Sequence, residues 1–243
     1  MKKLFIIAVA FTVCAMSAFA QSKDESVRLP DIAVGSGLFS AETLTYFAFS
    51  DHNLLNAGDF ETYKGKANTE FLMNIVELRV DPYPTGRFAI GLDFDWDYYR
   101  LDKTHFWRPD GSGKVSIAPM EGSGFKKIKK SRLSVRTIAV PLSFTQAFGA
   151  FSFRVGVTGE YNLPGRVRFK GTTADGTEVK EWKSGTHFAK DIKTNTFTYN
   201  LFGVLSFEDI GFYVKYSPAQ VFQEGYGPQF QTLTFGVVTG LGL

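Results

Sequence analysis

Cysteine is nearly missing: Cys14 is the single one in 243 residues. It falls in an N-terminal stretch that reads as a cleavable leader. Met1-Lys2-Lys3 is a short positive region, residues 4–16 are largely apolar, and Ala18-Phe19-Ala20 is a small-x-small cleavage site before Gln21. Val13 stands where a lipoprotein signal needs a small residue, so Cys14 is expected to leave with residues 1–20. The mature domain, residues 21–243, would then have no disulfide or thiol chemistry.

Long apolar runs are also lacking. No mature segment approaches the ~18–20 apolar residues of a spanning helix. An excess of charge of one sign is lacking too. Loss of Lys2 and Lys3 takes 27 basic residues to 25 against 24 acidic ones, so no nucleic-acid partner is indicated. Histidine is scarce, with only His52, His105 and His187, all expected in long connections.

What the chain has is aromatic residues, 16% of the total, with 25 Phe. They recur with period two, as in strands with two unlike faces. "RFAIGLDFDWDYY" sets Phe88, Ile90, Leu92, Phe94, Trp96 and Tyr98 against Ala89, Gly91, Asp93, Asp95 and Asp97. "FSFRVGVTGEY" sets Phe151, Phe153, Val155, Val157 and Tyr161 against Ser152, Arg154, Gly156, Thr158 and Glu160. "FTYNLFGVLSF", "GFYVKYS" and the closing "QTLTFGVVTGLGL" alternate likewise, and the stretches near Val76 and Ile138 do so less regularly. An eighth strand is expected within residues 41–50.

The connections alternate in length. Short ones lie at residues 81–86, 147–150 and 208–211; long ones at roughly 51–67, 102–130, 165–192 and 218–228. This predicts an all-β fold: an up-and-down antiparallel transmembrane β-barrel of eight strands, with four long extracellular loops and three short periplasmic turns. A ten-stranded count needs another pair hidden in residues 102–130 or 165–192. Eight strands leave an interior filled by side chains, so a wide diffusion pore is not expected.

Small residues and pairable charges on the polar faces suit the inside of such a barrel. Asp93, Asp95, Asp97, Arg154, Glu160 and Lys215 are expected to form a lumenal polar network, with Arg79 also on that side. Phe151 and Tyr161, like Phe197 and Phe207, stand ten residues apart, which over a tilted strand spans on the order of 25 Å, the height of an outer-membrane apolar band. The competing fold is a secreted soluble ligand-binding barrel.

The leader, "VPLSF" at residues 140–144, and "YVKYSPAQVFQEGYGPQFQTLTFGV" resemble the outer-membrane β-barrel family common in Bacteroidota. The last stretch carries the most weight: Tyr-x-Lys-Tyr-Ser-Pro, Phe222, Gly225, Gly227-Pro228, then the closing strand. The similarity runs from about residue 70 onward. It implies an integral outer-membrane barrel and carries over no catalytic residue, cofactor or metal. The final Leu243 departs from the aromatic ending of many outer-membrane barrels.

"FKKIKKSRLSVR", residues 125–136, holds Lys126, Lys127, Lys129, Lys130, Arg132 and Arg136 with no acid. Strand parity points Arg132 and Arg136 outward near the outer interface, with a bulge near Arg136 as the alternative that would turn it inward to the acidic face. Lipopolysaccharide phosphates or a surface glycan are the expected partners of this rim, with a solvated loop edge as the plain alternative. "GRVRFKGTTADGTEVKEW", residues 165–182, predicts a hairpin turning at Ala174-Asp175-Gly176, an arm joining the fifth and sixth strands beyond the membrane. "PDGSGK", residues 109–114, lacks phosphate-loop spacing and reads as a turn. The predicted role is structural or surface-interactive, in a monomer. A small outer-membrane hydrolase or acyltransferase with its site in the loops is the enzymatic alternative.

Overall fold

The computed structural model describes residues 39–43, 46–57, 68–180 and 191–240. The expected leader, residues 1–20, lies outside them, as do His187, Trp182 and the last three residues. No helix among the described residues is long and apolar enough to cross a membrane.

The described residues form twelve strands: β1 (Phe39–Thr43), β2 (Phe47–Leu55), β3 (Thr69–Tyr83), β4 (Gly86–Arg100), β5 (His105–Pro109), β6 (Val115–Pro119), β7 (Phe125–Phe148), β8 (Phe151–Thr173), β9 (Glu178–Lys180), β10 (Phe197–Phe207), β11 (Ile210–Ser217) and β12 (Gln231–Thr239). Eight of them, β2, β3, β4, β7, β8, β10, β11 and β12, pair antiparallel with their neighbours in sequence, and β12 pairs back onto β2. The sheet is a closed ring, so these strands leave no open edge. Phe47 faces Thr239 and Leu55 faces Gln231 across the closing seam.

Tight turns join one end of the ring. Pro84-Thr85, Gly149-Ala150 and Glu208-Asp209 link β3 to β4, β7 to β8 and β10 to β11. Gly149 (φ 66°) and Glu208 (φ 50°) take the left-handed conformation that two-residue hairpins require. The long connections gather at the other end.

Three expectations are corrected. The first strand is not confined to residues 41–50: β1 and β2 lie in succession along β3, and β2 runs on to Leu55, carrying His52 into the sheet. The connection 102–130 holds a hairpin, β5–β6, which forms its own two-stranded sheet and does not enter the ring. The projecting arm is built from the fourth and fifth ring strands, not the fifth and sixth, although the chain does turn back on the fifth at residues 174–177 as expected. β7 and β8, 24 and 23 residues long, extend together beyond the ring, and β9 folds back against β8 as a short third strand.

The ring is apolar outside and polar inside. Among the described residues two dozen large hydrophobic side chains are exposed, Phe197 at 76%, Leu205 at 59% and Leu142 at 54% among them. Their strand neighbours, including Asp93, Ser143, Arg154, Asn200, Ser206 and Lys215, are buried. Small residues let this interior close. At Gly156 a Cβ would lie 2.4 Å from the Leu142 carbonyl oxygen and 2.6 Å from the Phe202 ring.

Candidate functional site

The interior stacks in layers set by strand register. Nearest the tight turns, Arg79 Nε donates to Glu77 Oε1 at 2.7 Å, and its Nη1 lies 2.5 Å from Glu42 Oε2. Arg154 bonds the other Glu77 oxygen and donates to Ser143 Oγ at 3.0 Å. Above this, the Tyr46 hydroxyl and the Asn74 amide donate to Asp93 at 2.6 and 2.7 Å. Tyr46, Ala48, Leu72, Val204, Tyr213 and Val238 form a small apolar cluster around that carboxylate.

The next layer centres on Lys215. Its ammonium bonds Glu70 and lies 2.8 Å from Asp95 Oδ2, with Glu160 at 4.0 Å. Ser50 donates to Glu70, and Asn200 and Thr198 donate to Glu160. Beside it, His52 contacts Thr234 Oγ1 through Nδ1 at 2.7 Å and Asp97 Oδ1 through Nε2 at 2.9 Å.

Glu70, Asp95 and Asp97 each present an oxygen within 4.8 Å of the others, a spacing that could hold a metal ion. The Lys215 ammonium already bonds two of the three and supplies the positive charge there. Hydroxyl, imidazole and carboxylate follow one another in Thr234, His52 and Asp97, the order used in nucleophilic catalysis. Thr234 is 0% exposed, and an apolar cap covers this end of the interior. The cap includes Leu54, Tyr99, Leu101, Trp107, Leu133, Val135, Val167, Ile192, Phe222 and Phe230. Trp107 and Phe222 come from the connections, and the Trp107 indole donates to the Tyr99 carbonyl at 3.1 Å.

Of the residues expected in the interior, Asp95 and Lys215 meet directly. Asp97 and Glu160 flank them, whereas Asp93 and Arg154 belong to the layers below. Asn200 stands on the inward face expected of its strand, β10, and Glu70, Asn74 and Glu77, all in β3, complete the network without being singled out by the sequence. Their signal was obscured by an irregularity in β3, where the pairing with β4 shifts between Asn74 and Val76 and the inward set changes phase. His105, by contrast, is in β5 beside Asp102, at 3.1 Å. Burial raises the Asp102 pKa, but hydrogen bonds from Thr104 and His105 outweigh it and leave the carboxyl below its ordinary value. Residues 109–114 make the β5–β6 turn, with Gly111 and Gly113 at positive φ.

The basic stretch divides. Lys126, Lys127 and Lys129 are exposed on the projecting part of β7, and Lys129 pairs with Glu178 at 2.6 Å. Lys130, Arg132 and Arg136 lie on the outer face lower down, where the sheet sets more bases beside them. Lys130 faces Lys170, Arg132 stands between Arg100 and Arg168, Ser134 faces Arg166, and Arg136 faces Trp96. Arg100, Arg166, Arg168 and Lys170 were missed as members of this group because strand alignment, not sequence proximity, assembles it.

No protein-family model matches the chain, and no curated protein matches it in sequence.

Proposed function

We propose that this chain is an exported integral β-barrel of a bacterial outer membrane, with a structural or surface-interaction role and no wide pore. One observation carries the reading: the outward faces are apolar and exposed, while the charges are buried and paired inside. Water favours the reverse arrangement, and monomers in water rarely expose contiguous apolar patches beyond a few hundred Å². Lipid favours this one, because a closed ring also satisfies the backbone without solvent. Ring contacts between Phe151 and Phe207 at 4.9 Å and between Tyr161 and Phe197 at 5.3 Å mark the two ends of the apolar band. The leader-like N-terminus and the resemblance to Bacteroidota outer-membrane barrels support the same reading.

The long connections and the basic rim at Lys126, Lys127, Lys129, Lys130, Arg132 and Arg136 would face the cell exterior and contact lipopolysaccharide or a glycan. A small outer-membrane enzyme is the competing reading. The Thr234–His52–Asp97 alignment favours it, and the apolar cap over that alignment counts against it.

The test is fractionation of expressing cells followed by refolding of the purified chain. The expected result is recovery with outer membranes, resistance to high-salt and alkaline extraction, and folding only in detergent or lipid. A monodisperse, folded protein in detergent-free buffer would refute the membrane assignment.

A further inference from the structure

The outer face of β4, β7 and β8 sets like charges beside one another on adjacent strands. Arg100, Arg132 and Arg168 are directly opposite one another on three adjacent strands. Like charges in opposed cross-strand positions are destabilising. Lys130 and Lys170 form the next row outward, and Arg166 and Arg136 flank the row on its inner side. Among the described residues Arg100, Arg132 and Arg136 form no salt bridge; Asp51 lies within electrostatic range of Arg100 but does not bond it. Glu178 is bonded to Lys129 and Lys170.

Two further observations point to a ligand. The Nε atoms of Arg100 and Arg132 are buried and have no hydrogen-bond partner among the described residues. An unmade bond to a buried, charged donor is costly, so these atoms await an acceptor. The Arg132 guanidinium also sits 4.4 Å from the centre of the Tyr98 ring, which holds its planar fork in place. Repulsion is felt nearby: burial first, then Arg132, Arg100 and Arg168, lower the Lys130 ammonium pKa below its ordinary value.

The height of the row selects the ligand. Ile138, Val140 and Leu142 of β7 are exposed and apolar, and the bases begin at Arg136, immediately above them. In a bilayer that step from apolar to cationic falls where acyl chains give way to headgroups. We infer that Arg100, Arg132 and Arg168 form a binding site for the phosphate of a membrane lipid seated against the β4–β7–β8 wall. This rests on the outer-membrane reading and deepens it. Guanidinium forks match phosphate oxygens in pairs, and one phosphate placed among three arginines would relieve their mutual repulsion.

The test uses the full mature chain in phosphatidylcholine nanodiscs doped with one of three lipids. These are a bisphosphorylated lipid A-type glycolipid, its dephosphorylated form, or phosphatidylglycerol. Retained lipid is counted by native mass spectrometry. The expected result is retention of the phosphorylated glycolipid and at least a tenfold loss of it in Arg132→Gln/Arg168→Gln. Arg87→Gln, which removes a base paired with Asp81 beside the β3–β4 turn and outside the rim, should retain it as the wild type does. Equal retention of phosphatidylglycerol would identify lipid phosphate in general; retention of the glycolipid alone would identify that source. Arg132→Lys, which keeps the charge and loses the fork, should fall between. In phosphate-free detergent the double Gln variant should unfold at higher temperature than the wild type, which also controls for folding. Retention that survives in the double variant, or that is equal for the dephosphorylated glycolipid, would overturn the site. Binding of inorganic phosphate without retention of either lipid would overturn it as well. Failure to enter nanodiscs at all would instead count against the barrel reading.

Discussion

Lys215 is 4% exposed and bonds carboxylates that lie 145 and 120 positions away, Glu70 and Asp95. Removing one member of such a group leaves the others charged and unpaired in a poorly solvated interior. Lys215→Met is therefore expected to cost about 3–5 kcal/mol in urea unfolding from micelles. Adding Glu70→Gln and Asp95→Asn to that variant should recover much of the loss. A single Met variant as stable as the wild type would show that the ammonium is not the keystone of this layer. The alternating Asp93, Asp95 and Asp97 could be read in the sequence because β4 alternates without interruption. Glu70 and Glu77 could not, because β3 changes phase between them. His52 reads as a loop residue in sequence, within the 51–67 connection. Only pairing with β12 shows that Asp51 and Asn53 point one way and His52 the other.

Strands with uniform outward faces give predictions that separate lipid from water. Leu201 lies mid-strand in β10 and is exposed. In a bilayer Leu201→Arg should cost about 2–4 kcal/mol near the midplane. On a water-facing surface the same change would be nearly neutral, so refolding into vesicles at wild-type stability would argue against the membrane. The seam between β12 and β2 has its own constraint. A Cβ at Gly236 would stand 2.4 Å from both the Phe49 carbonyl oxygen and the Ser50 Cβ. Gly236→Ala should destabilise by roughly 1–3 kcal/mol, measured by the same unfolding assay, while Gly159→Ala, with nothing near its Cβ, should be mild by comparison. Short turns and ring strands were readable from period and spacing. The upper half of β7 was not: its charges resemble a solvated loop. Leu133 and Val135 reveal their purpose only once Trp107, from another connection, packs beside them.

The ring has two dissimilar ends and a filled middle. With an apolar cap above and ion pairs below, planar bilayers containing it should show no stable conductance steps; regular unitary currents would contradict the packed interior. The near-absence of cysteine makes the orientation easy to probe. Asp175→Cys, in the turn after β8, should react with an impermeant thiol reagent on intact cells, and Asp209→Cys, in the β10–β11 turn, should not. The reverse pattern would overturn the proposed orientation.

The joining of β2 to β12 also orders events in time. The strand that completes the ring pairs with the one that comes near its beginning, so closure must wait until every strand between them has been made. Contacts so distant in sequence form slowly. Until they form, both outer strands are open edges able to capture another chain, and Glu70 and Asp95 have no Lys215 to neutralise them. A newly made chain thus has to be kept hydrated and separate from its copies, and the final pairing both ends its vulnerability to aggregation and switches on its internal electrostatics.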